Sequence, residues 1–210
     1  KPEYAVLLPA AGIEAVSMGN NHRLDYQEAG TADTVEALKE NGIVYAYDGN
    51  VGIYETDSGI RIGYVSVNEV AWGTGVEKFL KKGIAKLQEE GVDLIFTCCH
   101  WGIEREYYPE DYQKELGRKC IDWGADLVIG HHPHVLQPLE WIDRADGGKT
   151  LCMYSLGNFL SGMMYSRNMV GGILGFDLCK APNGVSVDNV SFIPTVSQYN
   201  KNVRGFKIYR

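Results

Sequence analysis

Up to about residue 134 the chain alternates between two hydrophobic periods, and afterwards it keeps to one. Ile13 to Met18 and Ile43 to Tyr47 read as strands. Between them a helix is expected over Ala32 to Asn41, with Thr31 as N-cap, Val35 and Leu38 on the buried face and Gly42 as the stop. Ala5 to Ala11 reads as a short helix or a helix end, broken by Gly12. Gly52 to Thr56 and Ile60 to Val67 read as a hairpin around Asp57-Ser58-Gly59. Val76, Leu80, Ile84 and Leu87 recur at spacings of three and four, which predicts a helix over Val76 to Glu90, ended by Gly91. Val92 to Cys98 is almost continuously apolar, the mark of a strand buried on both faces between parallel neighbours. Pro109 suits the first turn of a helix that runs to about Trp123 and stops at Gly124. A short apolar strand through Leu127, Val128 and Ile129 follows.

Beyond residue 134 the helical period disappears. Leu136 to Ile142, Leu151 to Ser155, Val170 to Leu178 and Val185 to Ile193 all read as strands, with turns at Asp146-Gly147-Gly148 and Pro182-Asn183-Gly184. This order predicts a mixed α/β layer packed on a second sheet, with residues 1–210 forming one domain.

All five histidines lie directly after apolar runs. His22 ends Gly19-Asn20-Asn21-His22, His100 opens His100-Trp101-Gly102, and the rest stand in Gly130-His131-His132-Pro133-His134. Sites in open α/β sheets form outside the carboxyl ends of strands, so three such loops predict one shared pocket. In an extended segment His132 and His134 would point to the same side, able to hold one metal or bridge two. Asn21 offers a neutral oxygen to such an ion, or is a turn residue. His22 is a candidate general acid, with Asp25 orienting it or merely solvated. His100 ends the most buried strand and is a candidate ligand. Trp101, Tyr107, Tyr108 and Arg105 are candidates to line a substrate cleft, with Arg105 suited to an anionic group. Asn158, in Gly157-Asn158-Phe159 after a strand, either enters the same pocket or makes a turn.

Composition narrows the partners. A net charge of −7 and no basic stripe argue against nucleic acid. No apolar run is long enough to span a bilayer. Five cysteines without a Cys-x-x-Cys pair argue against a thiolate zinc site. Cys98 and Cys99 face opposite ways on their strand, so at least one is expected in the core.

The motifs resemble a known family. Asn20-Asn21-His22 followed by Asp25-Tyr26, His100-Trp101-Gly102, Gly124 through His134, and Tyr154-Ser155-Leu156-Gly157-Asn158-Phe159 are similar, in order, to four motifs of the CapA-type capsule synthesis proteins. These are also called the poly-γ-glutamate PgsA/CapA family, within the calcineurin-like metallophosphoesterase superfamily. The resemblance covers residues from about 5 to about 180 and implies a four-layer αββα sandwich around a pocket for two divalent ions (Mn, Zn or Fe). It assigns metal ligation to Asn21, His100, His132 and His134, protonation of the leaving group to His22, and substrate contacts to the surrounding loops. In the superfamily a glycine directly precedes the first ligand histidine, and here Gly130 precedes His131, which makes His131 the alternative to His132.

Two superfamily motifs that supply acidic ligands ahead of the Asn-His motif have no counterpart here. The resemblance therefore implies an N-terminally truncated domain that binds metal weakly and is inactive alone. The expected activity of the intact protein is metal-dependent hydrolysis, of a phosphoester by analogy or of an amide in poly-γ-glutamate. The alternative is a cell-surface scaffold, within a capsule synthesis complex, that binds polyglutamate or assists its export. The −7 charge does not favour a polyanion unless Arg23, Arg105 and the histidine pocket supply local positive potential. An extracytoplasmic location, anchored to the membrane by an N-terminal segment, follows from the resemblance alone.

Overall fold

The computed structural model describes residues 1–163, 165–182, 184–200 and 205–209. The turn expected at 182–184 includes Asn183, outside the described residues. After a 3-10 turn (Pro2–Val6) come helix α1 (Leu7–Ala10), strand β1 (Ala15–Ser17), helix α2 (Gln27–Glu40), and strands β2 (Val44–Ala46), β3 (Val51–Glu55) and β4 (Arg61–Asn68). Helices α3 (Glu69–Trp72) and α4 (Val76–Glu89), strand β5 (Leu94–His100), helix α5 (Asp111–Trp123) and strand β6 (Leu127–His131) follow. The rest is strand: β7 (Leu139–Asp143), β8 (Lys149–Met153), β9 (Val170–Ala181), β10 (Gly184–Asn200) and β11 (Gly205–Tyr209).

The main sheet has six strands in the order β3-β4-β5-β6-β8-β7. Strands β4, β5, β6 and β8 run parallel, and the outer strands β3 and β7 run antiparallel to their neighbours. As its apolar run requires, β5 is central and buried on both faces. Ile95 and Cys99 face α4 and α5, while Leu94 and Phe96 face the second sheet. Val76, Leu80, Ile84 and Leu87 of α4 are all buried against the first face, where their 3.6-residue spacing puts them on one stripe. Leu174, Phe176 and Leu178 of β9 and Val185 of β10 cover the second face. β1 and β2 form a separate parallel pair, on which α2 packs through Met18, Leu38 and Ile43. The molecule is an α/β sandwich, as the element order predicts.

Three local expectations fail. The helix expected from Ala32 starts at Gln27, and Thr31 lies buried inside it rather than capping it. The Thr31 hydroxyl donates back to the carbonyl of Arg23 (3.0 Å), an alternative to capping open to short polar side chains. Pro109 precedes α5; its N-cap is Glu110, in a reciprocal capping box with Gln113. β1 is also shorter than the apolar run around it, three residues that pair, among the described residues, only with β2. At the other end of α5, Gly124 has φ 112°, a left-handed closure that glycine adopts without a Cβ penalty.

Candidate metal centre

His22 lies in the loop after β1, His100 and His131 are the last residues of β5 and β6, and His132 and His134 lie in the loop after β6. The loop after β1 is fixed to β4: Ser17 and Ser66 hydroxyls lie 2.7 Å apart, and the Gly19 N–H donates to Ser66 Oγ (2.9 Å). Asn20 makes the turn, its Oδ1 accepting from the His22 N–H (2.9 Å), which leaves Asn21 to reach across the sheet. Asn21 Oδ1 stands 3.0 Å from His100 Nε2. The His22 Nδ1 is 2.9 Å from Asp25 Oδ2, so the other ring nitrogen of His22 is turned free of that partner.

His132 sits between the other two ligand candidates. Its ring centroid is 4.8 Å from that of His100 and 6.0 Å from that of His134. His132 and His134 meet by a route other than strand alternation. Both have positive φ, 98° and 57°, so the backbone leaves the extended region after His131 and turns both rings inward. His131 remains in β6 as the register partner of His100, and lines a cavity of about 900 Å³ together with Tyr64, Ile129, Asn158 and Phe176. Removal from water there pushes its pKa down to about 4. The compact ligand cluster includes His132 and His134 and not His131, which stands beside His100 on the neighbouring strand.

Asn158 is brought into the pocket, but behind His134 rather than toward a substrate. Its Oδ1 accepts from His134 Nδ1 (2.9 Å) and its Nδ2 donates to the Asn168 carbonyl (2.9 Å), while Asn168 Nδ2 donates to the His134 carbonyl (2.9 Å). This closed ring of amides fixes the His134 tautomer and leaves Nε2 as the nitrogen that could ligate a metal. The substrate role expected of Trp101 is overturned. Its side chain is fully buried in the core, with Nε1 donating to the Tyr154 carbonyl (2.9 Å). Arg105 is exposed, with its guanidinium 5.1 Å over the Tyr165 ring and its N–H donating to the Pro133 carbonyl (2.7 Å). Arg23 offers no free positive charge, because it is buried 3.4 Å from the equally buried Asp48 carboxylate.

Sequence reasoning missed Glu104. One ligand atom each from Glu104, His132 and His134 lie within 4.8 Å of one another. The only signal for it was its position four residues after His100. The surroundings suit a divalent cation. Burial, reinforced by the neighbouring His132, His131 and His134, pushes the His100 pKa down to about 3. Burial also lowers that of His132, opposed by the Glu104 carboxylate. Neutral imidazole is the form that ligates metal. The Nδ1 of His132 is buried without a hydrogen-bond partner among the described residues, a cost that a bound ion would relieve.

Comparison with known proteins agrees with this arrangement of motifs. Residues 1–163 match the model of the bacterial capsule synthesis protein family PGA_cap. The chain is 28% identical to the capsule biosynthesis protein CapA of Bacillus anthracis over all of its length and 56% of that protein. It is 32% identical to the PGA biosynthesis protein CapA of Bacillus subtilis (strain 168), covering 87% of this chain and 51% of the relative. The chain therefore spans about half the length of these two relatives. A crystal structure of a hypothetical protein from Thermus thermophilus shares the fold, with a TM-score of 0.52 at 17% identity over 90% of this chain and 77% of that one. With four motifs in order, the fold beneath them and a family match over most of its length, the chain belongs to the bacterial capsule synthesis protein family PGA_cap.

Proposed function

We propose that the chain carries the metal-dependent hydrolytic site of a protein that acts in building a capsule polymer at the cell envelope. The convergence of Asn21, His100, His132 and His134 from three separate strand ends, with the His22–Asp25 pair beside them, carries this reading. Asn21, His100, His132 and His134 would hold divalent ions, of which Mn, Zn and Fe suit mixed imidazole and oxygen donors. When bound, such ions supply an activated water and polarise the bond under attack.

The remaining roles belong to the chain's own residues. Asp25 holds the His22 ring through Nδ1, so that its other nitrogen can give a proton to a leaving oxygen. Asn158 and Asn168 hold His134 in one orientation. Arg105, stacked on Tyr165 at the rim, supplies a planar cation for an anionic substrate, phosphoester or polyglutamate. The names of the two Bacillus relatives support the polymer context, and a phosphoester is the reacting bond that the superfamily resemblance favours.

The test is hydrolysis of bis-p-nitrophenyl phosphate by the full-length protein with added Mn²⁺, compared with His22→Ala. The proposal expects turnover that falls by about 10²–10⁴ in the variant while bound metal is unchanged. Metal binding without turnover in either protein would refute the hydrolytic role.

A further inference from the structure

The histidine loop does not stand alone in the pocket. The segment after β5 runs beside it and is tied to it along its length. The Trp101 N–H donates to the His131 carbonyl (3.0 Å), the Arg105 N–H to the Pro133 carbonyl (2.7 Å), and Gln137 Nε2 to the Glu106 carbonyl (2.9 Å). Glu104 lies between the first two of these ties, and Arg105 beside it has φ 67°, a conformation that such ties must hold in place. Glu104 is exposed, but these ties hold its backbone beside the histidine loop.

What it is positioned against is a pair of imidazoles prepared for a cation. His132 is 8% exposed and its Nδ1 lacks a hydrogen-bond partner among the described residues. His134 has Nδ1 engaged by Asn158, which leaves Nε2 with its lone pair. The three candidate ligand atoms lie within 4.8 Å of one another. Ligands about 2.1 Å from one tetrahedral ion stand about 3.4 Å apart, so small side-chain rotations bring all three onto it.

We propose that Glu104, His132 and His134 form a carboxylate and bis-imidazole site for one divalent cation, with every ligand supplied by two neighbouring loops of this chain. The proposal rests on the metal-dependent reading of the pocket and adds a ligand that the family motifs did not assign. Two imidazoles and one carboxylate suit Zn²⁺, Mn²⁺ or Fe²⁺ and disfavour Ca²⁺ and Mg²⁺, which prefer oxygen-rich sites. Asn21 and His100 lie on the other side of His132, 3.0 Å from each other, and Glu104 adds a charged donor on the His134 side. The site is complete without acidic ligands from elsewhere, contrary to the weak binding expected of this chain from its motifs.

Chelator-treated protein is titrated with Mn²⁺, and free ion is followed by electron paramagnetic resonance. The wild type is expected to bind one ion tightly. Glu104→Gln keeps the size and removes the charge, and is expected to weaken that ion at least about tenfold without changing the circular dichroism or melting of the metal-free protein. Glu106→Gln, in the same loop, is expected to bind as the wild type does. If Glu104→Gln binds as tightly as the wild type while His134→Ala loses the ion, the role of Glu104 is overturned and the metal reading survives. If the wild type binds neither Mn²⁺ nor Zn²⁺, both are overturned.

Discussion

Replacing Gly130 by alanine adds one methyl group where the sheet has no room for it. A Cβ at this position would stand 2.6 Å from the Tyr154 carbonyl carbon, and closer still to the Tyr154 oxygen and to Trp101 Nε1. Two of these neighbours are backbone atoms at the end of β8, which cannot rotate away. The third belongs to an indole locked in the core and donating to that same oxygen. Forcing them apart costs about 1–3 kcal/mol for overpacking and about 1 kcal/mol for the weakened buried hydrogen bond. The sum of about 2–4 kcal/mol is a large part of a typical domain's stability, and corresponds to a fall of roughly 5–15 °C in Tm for a chain of this size. Gly130 is not among the glycines with positive φ, so steric contact alone sets the effect. Urea unfolding of metal-free protein, followed by circular dichroism, measures it, with the slope m expected to stay constant. A Gly130→Ala variant within about 0.5 kcal/mol of the wild type would show that β6 and β8 are not packed in this way, and would undo with them the placing of the histidine loop.

Three further outcomes follow from the same geometry. Asn158→Ala frees His134 Nδ1 and is expected to lower Mn²⁺ affinity about 10–100-fold by titration, as loss of a partner behind a metal ligand does. Arg105→Ala is expected to raise KM for an anionic phosphodiester with kcat changed less, since the guanidinium stacks on Tyr165 and is not among the candidate ligand atoms; steady-state kinetics separate the two. Burial pushes the Tyr64 phenol up from 10.0 to about 12. Its folded pKa lies above its unfolded one, so the stability it contributes is present below pH 10 and is lost as pH rises toward 12. Tyr64→Phe should flatten the decline in urea midpoint over that window, and an unchanged slope would refute the assignment.

The helices and the central strands could be read from the chain because their signals are local. Val76, Leu80, Ile84 and Leu87 fall on one stripe whatever they pack against, and a run such as Val92 to Cys98 has few fates other than a buried parallel strand. The start of α2 is not legible in the chain, because Thr31 has the residue type of an N-cap yet packs inside the helix and bonds back to the Arg23 carbonyl. The clustering of histidines at strand ends predicts that they meet, since in an α/β sheet those ends share one edge, and His100, His132 and His134 do lie together.

The sequence by itself determined the sandwich, the edge at which the histidines gather and the residue types available there. Periodicity and chain order are enough for that. Only the tertiary structure decided which side chain faces which way. Trp101 and His100 are adjacent, yet the strand period sends one into the core and the other to the pocket. His131 and His132 are adjacent too, and after the turn to positive φ only the second joins the compact ligand cluster. Glu104 has no motif of its own; it joins the histidines only because two loops distant along the chain are tied backbone to backbone. Such pairings depend on the three-dimensional register of β5 against β6, which no local pattern of residues encodes.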